Sequence, residues 1–145
     1  MAQTFSTELS GIDSTPAVKA SATAAYGARV KRFRATITLA SQASGDTIVL
    51  ADLPAGYVFA YGVITSSVTL GATATIAVGI SGTAAKYKAA AVFTAVDTPT
   101  LFGTATAGAG QAALSATERI LLTIAAAALP AAGTLVVDIY ASLPN

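Results

Sequence analysis

The sequence predicts an all-β fold: an antiparallel β-sandwich of jelly-roll-like type, preceded by an extended N-terminal arm. Three observations carry this expectation. Apolar residues recur at every second position in successive short runs, which is the period of a half-buried strand. Turn residues separate those runs, so that about seven or eight strands fit the chain. One phrase is also written twice, as "DTIVLADLPAGYVFAYGVITS" and "RILLTIAAAALPAAGTLVVDIYAS". Each copy carries an aliphatic run into Leu-Pro-Ala, reaches a glycine and launches a second β-prone run.

Residues 1–28 are rich in Ser, Thr and Ala and keep neither a period of two nor one of 3.6, so they read as the arm, with the sandwich domain spanning residues 29–145. In "RVKRFRATITLA", Phe33, Ala35, Ile37 and Leu39 fall on one face, and Arg32, Arg34, Thr36 and Thr38 on the other. "SQASGD" supplies a turn, and "TIVLA" is short and β-branched, as a second strand should be. In "LPAG", Pro54 is expected at the first central turn position and Gly56 in the left-handed conformation. That geometry suits either a hairpin with a bulge or a corner crossing between sheets. Beyond it, Tyr57, Phe59, Tyr61 and Val63 are expected to share one face of a strand, opposite Val58, Ala60, Gly62 and Ile64.

"LGATATIAVGI" aligns Leu70, Ala72, Ala74, Ile76, Val78 and Ile80, and its period of two outweighs the helix propensity of its alanines. Residues 84–91, within "TAAKYKAAAVFTAV", stay open between helix and strand, because Ala and Lys favour a helical turn while "AVFTAV" favours a strand. Residues 97–117 read as a long connection with one short strand at most, since Pro99 and several glycines break regular structure. Ile120, Leu122 and Ile124 then alternate with Arg119, Leu121 and Thr123. Leu135, Val137 and Ile139 alternate with Thr134, Val136, Asp138 and Tyr140 in the last strand.

A chain of 145 residues can bury one core, removing roughly 68–70% of the surface its unfolded form exposes. Its net charge of +1 argues against nucleic acid or a membrane as a partner held by bulk electrostatics. Charged residues make up only 10% of the chain, against about 25% in ordinary soluble proteins. Either the surface is hidden in an assembly, or a GC-rich genome has favoured Ala, Gly and Thr codons; weakly charged apolar patches mark interaction surfaces and favour assembly. Glu8 and Asp13 interrupt the N-terminal segment where a secretory signal needs an apolar run. The longest apolar stretch, residues 120–132, is broken by Pro130 and is too short to span a bilayer, so a soluble protein is expected.

No enzyme is expected. The chain contains neither His nor Cys, which removes the usual general base, the thiolate nucleophile and the common zinc ligands. Asp46, Asp52, Asp97 and Asp138 lie in or beside turns or on a solvent face rather than as a catalytic pair. No Asp-rich loop resembles a calcium cage, and the glycine-rich stretches do not lead a strand into a helix with phosphate-loop spacing, so no cofactor or metal is expected.

Two features remain as contact candidates. Arg29, Lys31, Arg32 and Arg34 in "RVKRFR" hold four of the eight basic residues where the arm enters the body. A basic run of this kind discourages wrong strand pairing at an edge; it can equally dock on an acidic protein surface. The second is the Tyr57, Phe59 and Tyr61 ladder, readable as a sugar-stacking platform or, more simply, as core.

Taken in order, "GDTIVLADLPAG", "SSVTLGATATIAVGI", "AAKYKAAAVFTAVDTPTLFG" and "ALPAAGTLVVDIYAS" resemble the small virion proteins of tailed bacteriophages that decorate or cement capsids. That resemblance implies a β-sandwich made in the host cytoplasm that binds the outside of the capsid, partners the major capsid protein and stabilises contacts between its subunits. It also implies a homo-oligomer, with a trimer the expected state. The alternative is a tail-associated or adhesin-like sandwich that binds a glycan or receptor.

Overall fold

The computed structural model describes residues 15–17, 29–104 and 113–143. The expected arm falls outside them apart from exposed residues 15–17, as does part of the long connection, residues 105–112. Eight strands follow one another: β1 (Arg29–Thr38), β2 (Thr47–Leu53), β3 (Val58–Ser66), β4 (Thr75–Ile80), β5 (Thr83–Val92), β6 (Thr100–Phe102), β7 (Glu118–Ala125) and β8 (Thr134–Leu143). They form two four-stranded sheets ordered β1-β8-β3-β6 and β2-β7-β4-β5. All neighbouring strands are antiparallel.

The topology explains the repeated phrase. β1 pairs with β8, β2 with β7, β3 with β6 and β4 with β5, so the chain is one antiparallel ribbon. Rolling that ribbon brings β8 against β3 and β7 against β4, which is a jelly-roll-like winding. Both Leu-Pro-Ala segments are corners between sheets, from β2 to β3 and from β7 to β8, and neither is a hairpin. At the first corner Tyr57 N donates to Pro54 O at 3.3 Å. Pro54 therefore opens the turn instead of taking its first central position, while Gly56, at φ 88°, adopts the left-handed conformation expected of it. The second corner is tied instead to the link after β1, through Leu129 N to Gln42 O and Ser41 N to Pro130 O.

Alternation places the core. Ile37 from β1, Leu50 and Leu53 from β2, Ile64 from β3, Ile76 and Val78 from β4, Ile120, Leu122 and Ile124 from β7, and Leu135, Val137 and Ile139 from β8 pack between the sheets. Residues 84–91 belong to β5, where pairing with β4 overrides the helix preference of Ala and Lys. Register shifts between Ile76 and Val78 and between Val78 and Ile80 mark bulges in that pair, and Tyr87 of β5 is buried.

The strand β3 departs from the expected pattern. Phe59 pairs with Ala141 and Tyr61 with Tyr140, so Ala60 is an extra residue and the period of two breaks there. Tyr57 and Phe59 point into the core, Tyr61 turns outward, and Gly62, Ile64 and Ser66 take over the inward face. The inward Gly62 faces Phe102 of β6, whose ring occupies the space a side chain would need.

Among the described residues, three ion pairs join strands. Arg34 of β1 donates Nε to Asp138 Oδ1 at 2.8 Å and Nη2 to Asp138 Oδ2 at 2.7 Å. Arg119 of β7 grips Asp52 of β2 in the same two-pronged way, at 2.8 and 2.9 Å. Glu118 accepts from Lys86 Nζ on one oxygen and from Tyr87 Oη, at 2.6 Å, on the other. Hydrogen bonding from Arg34 holds the Asp138 carboxyl below the usual carboxylate range. Burial opposes charge on Glu118, but the bonds from Lys86 and Tyr87 outweigh it and lower its pKa as well. Burial, reinforced by Glu118, pushes the Tyr87 phenol up.

Two predictions follow from these contacts. Gly62→Ala should lower stability by about 1–3 kcal/mol, because the added methyl forces the buried Phe102 ring to move. A denaturant midpoint equal to that of the natural protein would show that the ring does not seal this position. The lowered Asp138 and Glu118 pKa values imply stability that is fully present above about pH 4 and lost as pH falls through their native values. Asp138→Asn should therefore melt below the natural protein at neutral pH, and the two curves should converge on acidification; a constant gap across the titration would contradict the pairing.

Candidate interaction surface

Among the described strands β1 lies at the sheet edge and pairs with β8 alone, and its alternation divides the basic cluster between two faces. Arg29 and Lys31 share the parity of Phe33 and Ala35 but lie beyond the core, where Lys31 Nζ stands 5.6 Å from the centroid of the Tyr57 ring. Arg32 and Arg34 point to the outer face of the β1-β8-β3-β6 sheet, beside Tyr140 and Asp138 respectively. The structure therefore brings together Arg32 and Arg34 as one pair and Arg29 and Lys31 as another.

Their charges are not equivalent. Asp138 takes both prongs of Arg34, and Asp138 is itself 7% exposed, more enclosed than a solvent-face acid should be. Among the described residues, Arg29, Lys31 and Arg32 have no carboxylate within ion-pair distance. Lys88 bends back onto the carbonyls of Ile76 and Ala89, and burial lowers its pKa. Among the described residues, the two acids outside ion pairs, Asp46 and Asp97, lie toward the far end of the sandwich. Asp46 accepts from Ala43 N, and Asp97 N donates to the carbonyl of Ser66 at the end of β3. Among the described residues, positive charge without an ion-pair partner is thus gathered where β1 begins and β8 ends.

The aromatic ladder is not a platform, because Tyr57 and Phe59 are buried at 7% and 4% exposure. The Ala60 bulge instead presents Tyr61 on the outer face, stacked on Tyr140 with centroids 4.7 Å apart and planes at 18°. Val63 follows two residues later with Asp138 on one side and Leu101 of β6 on the other. Leu101 is 71% exposed and Val30, toward the start of β1, 59%. The outer face therefore carries a row of Arg32, Tyr140 and Tyr61 above a row of Arg34, Asp138, Val63 and Leu101. Sequence alternation had placed Tyr140 outside correctly but Tyr61 inside. The available signal was Gly62, since glycine within a strand marks a bulge or a close backbone approach, and here it sits beside both.

The opposite sheet is plainer. Its outer face carries the Asp52–Arg119 pair with Thr47, Thr123 and Thr75, and its exposed Val49 and Val92 lie on β2 and β5, the two opposite edges. Chemically, the arrangement equips the first sheet to hold a protein surface by apolar contact, with a cation at its margin.

No protein-family model matches the sequence, and neither does any curated protein sequence. Solved structures do resemble it. A chain in the cyanophage Pam1 capsid asymmetric unit superposes with a TM-score of 0.67 at 21% identity, covering 91% of this chain and 97% of that one. A chain in the capsid of Ralstonia phage GP4 gives 0.62 at 21% identity, over 82% and 86%. One in the acidic stable capsid structure of Helicobacter pylori bacteriophage KHP30 gives 0.59 at 14% identity, over 80% and 89%. At these identities the likeness is one of fold, and it extends over four-fifths or more of each chain.

Proposed function

We propose that this chain is a non-enzymatic structural protein of a bacteriophage virion, made in the host cytoplasm and bound to the outside of the capsid, where it stabilises contacts between major capsid subunits. The observation that carries this reading is the fold-wide match to chains from three separate phage capsid structures, each near this chain's own length. The low charge content and the outward apolar row support a surface spent on assembly. The tail-associated, glycan-binding alternative draws on one feature, the outward Tyr61–Tyr140 stack.

The mechanism is mass action. A protein that binds only the assembled shell adds binding free energy to that state at every occupied site, so many weak contacts stabilise the whole. Arg29, Lys31, Arg32 and Arg34 serve as the partner-facing charges, with Arg34 muted by Asp138; they steer approach over a range that salt limits to about 8–10 Å. Residues 1–28 act as a tether to the shell. The weakly charged Ala and Thr faces join copies around a symmetry axis, a trimer being the expected state.

Shells stripped of this protein should break at lower temperature and under milder osmotic shock than decorated shells, and adding it back should restore resistance. Removing residues 1–28 should leave the melting temperature of the free protein nearly unchanged while weakening attachment. Equal resistance of stripped and decorated shells would defeat the cementing role.

A further inference from the structure

The Pam1, GP4 and KHP30 likenesses say nothing of which side of the sandwich meets a partner, but the surface chemistry does. Of the large hydrophobic residues exposed among the described residues, Val30, Tyr61 and Leu101 all lie on the outer face of the β1-β8-β3-β6 sheet. Tyr61 continues into Tyr140 through their stack, and Val63 continues into Leu101 across the β3–β6 ladder, so these four form one group, with Val30 set apart from it beyond Arg32. β6 is only three residues long, and Gly103 just beyond it puts no side chain over Tyr61. Among the described residues, none covers this margin of the sheet beyond Gly103.

We infer that this face is the docking face, and that its occupant is a protein surface of the shell with an apolar centre and a carboxylate set against Arg32. The inference rests on the virion reading and deepens it by assigning the face and the chemistry of its partner. Three considerations select that occupant. Arg32 is the one cation of this face with no carboxylate within ion-pair distance among the described residues, and Asp138, which feels its charge, is already gripped by Arg34, so charge complementarity asks for a further acid beside Tyr140. A second copy of the same face has none to give, because its Asp138 is already held by Arg34. A nucleic acid or an anionic bilayer would call for a basic stripe, and a single free cation among apolar side chains is not one.

The Arg34–Asp138 pair fits the same picture. Each partner compensates the other before docking, so burying the two leaves no lone charge uncompensated. Tyr61 and Leu101 then supply the anchors, an aromatic and an aliphatic group near the centre of a contact where a few residues dominate affinity.

The test measures binding of the full-length chain to stripped shells, with folding of each variant checked by its melting curve. Tyr61→Ser and Leu101→Ser should each weaken binding by about tenfold or more. Arg32→Glu should slow association and reduce its dependence on salt. Val49→Ser, an equally exposed site on the other sheet, should bind within about twofold of the natural chain. Folded Tyr61→Ser and Leu101→Ser variants that bind normally, or a loss carried by Val49→Ser, would overturn the face while leaving the virion reading intact. A natural chain that ignores shells altogether would remove both, and glycan binding abolished by Tyr61→Ser would replace them with the tail-associated reading.

Discussion

The insertion of β8 between β1 and β3 is the constraint on which the rest of the molecule depends. Its inward residues Leu135, Val137, Ile139 and Ala141 are essentially inaccessible, and its backbone pairs on both sides. One of those partners is the first strand of the domain, so the sheet is complete only when segments about a hundred residues apart meet, as Arg34 and Asp138 do. Such non-local pairing makes loop closure precede its reward, which places this fold among slow-folding topologies. The two corners relieve the difficulty: each passes the chain from the β2-β7-β4-β5 sheet to the other, delivering β3 and β8 side by side.

Much of this was legible in the sequence because burial imposes a period of two. The inward rows of β1 from Phe33 onward, of β7 and of β8 follow alternation, and the doubled Leu-Pro-Ala phrase marks both crossings between sheets. What could not be read depends on contacts between distant segments. β5 looks helical in isolation and becomes a strand because β4 offers it a ladder. The Ala60 bulge reverses the facing of β3, and Ala60 itself carries no mark of it; only the neighbouring glycine hints at the break. Asp138 reads as a solvent-face acid until Arg34, more than a hundred residues away, encloses it.

The candidate surface illustrates the same limit. Spacing identified the four basic residues but could not divide them between an outer pair and an end pair, because that division follows from where the core stops along β1. Nor could it foresee that Asp138 grips Arg34 while Arg32, among the described residues, has no carboxylate within ion-pair distance. The apolar row was hidden for a further reason: it is assembled from β3, β6 and β8, and no local window contains Tyr61, Leu101 and Tyr140 together. The first sheet combines exposed Tyr61 and Leu101 with cations, whereas the outer face of the other carries the Asp52–Arg119 pair together with exposed Val49 and Val92.

The proposed placement seats this sandwich on a phage capsid with the β1-β8-β3-β6 sheet turned toward the shell. Cryo-electron microscopy of intact particles carrying the chain, at a resolution that separates strands, tests it most directly. The account predicts density for the sandwich distributed over the outer capsid surface, with Tyr61 and Leu101 covered by the shell subunit and an acidic side chain beside Arg32. Density confined to the tail, or a sandwich seated through the Val49 face with Tyr61 and Leu101 in solvent, would contradict it.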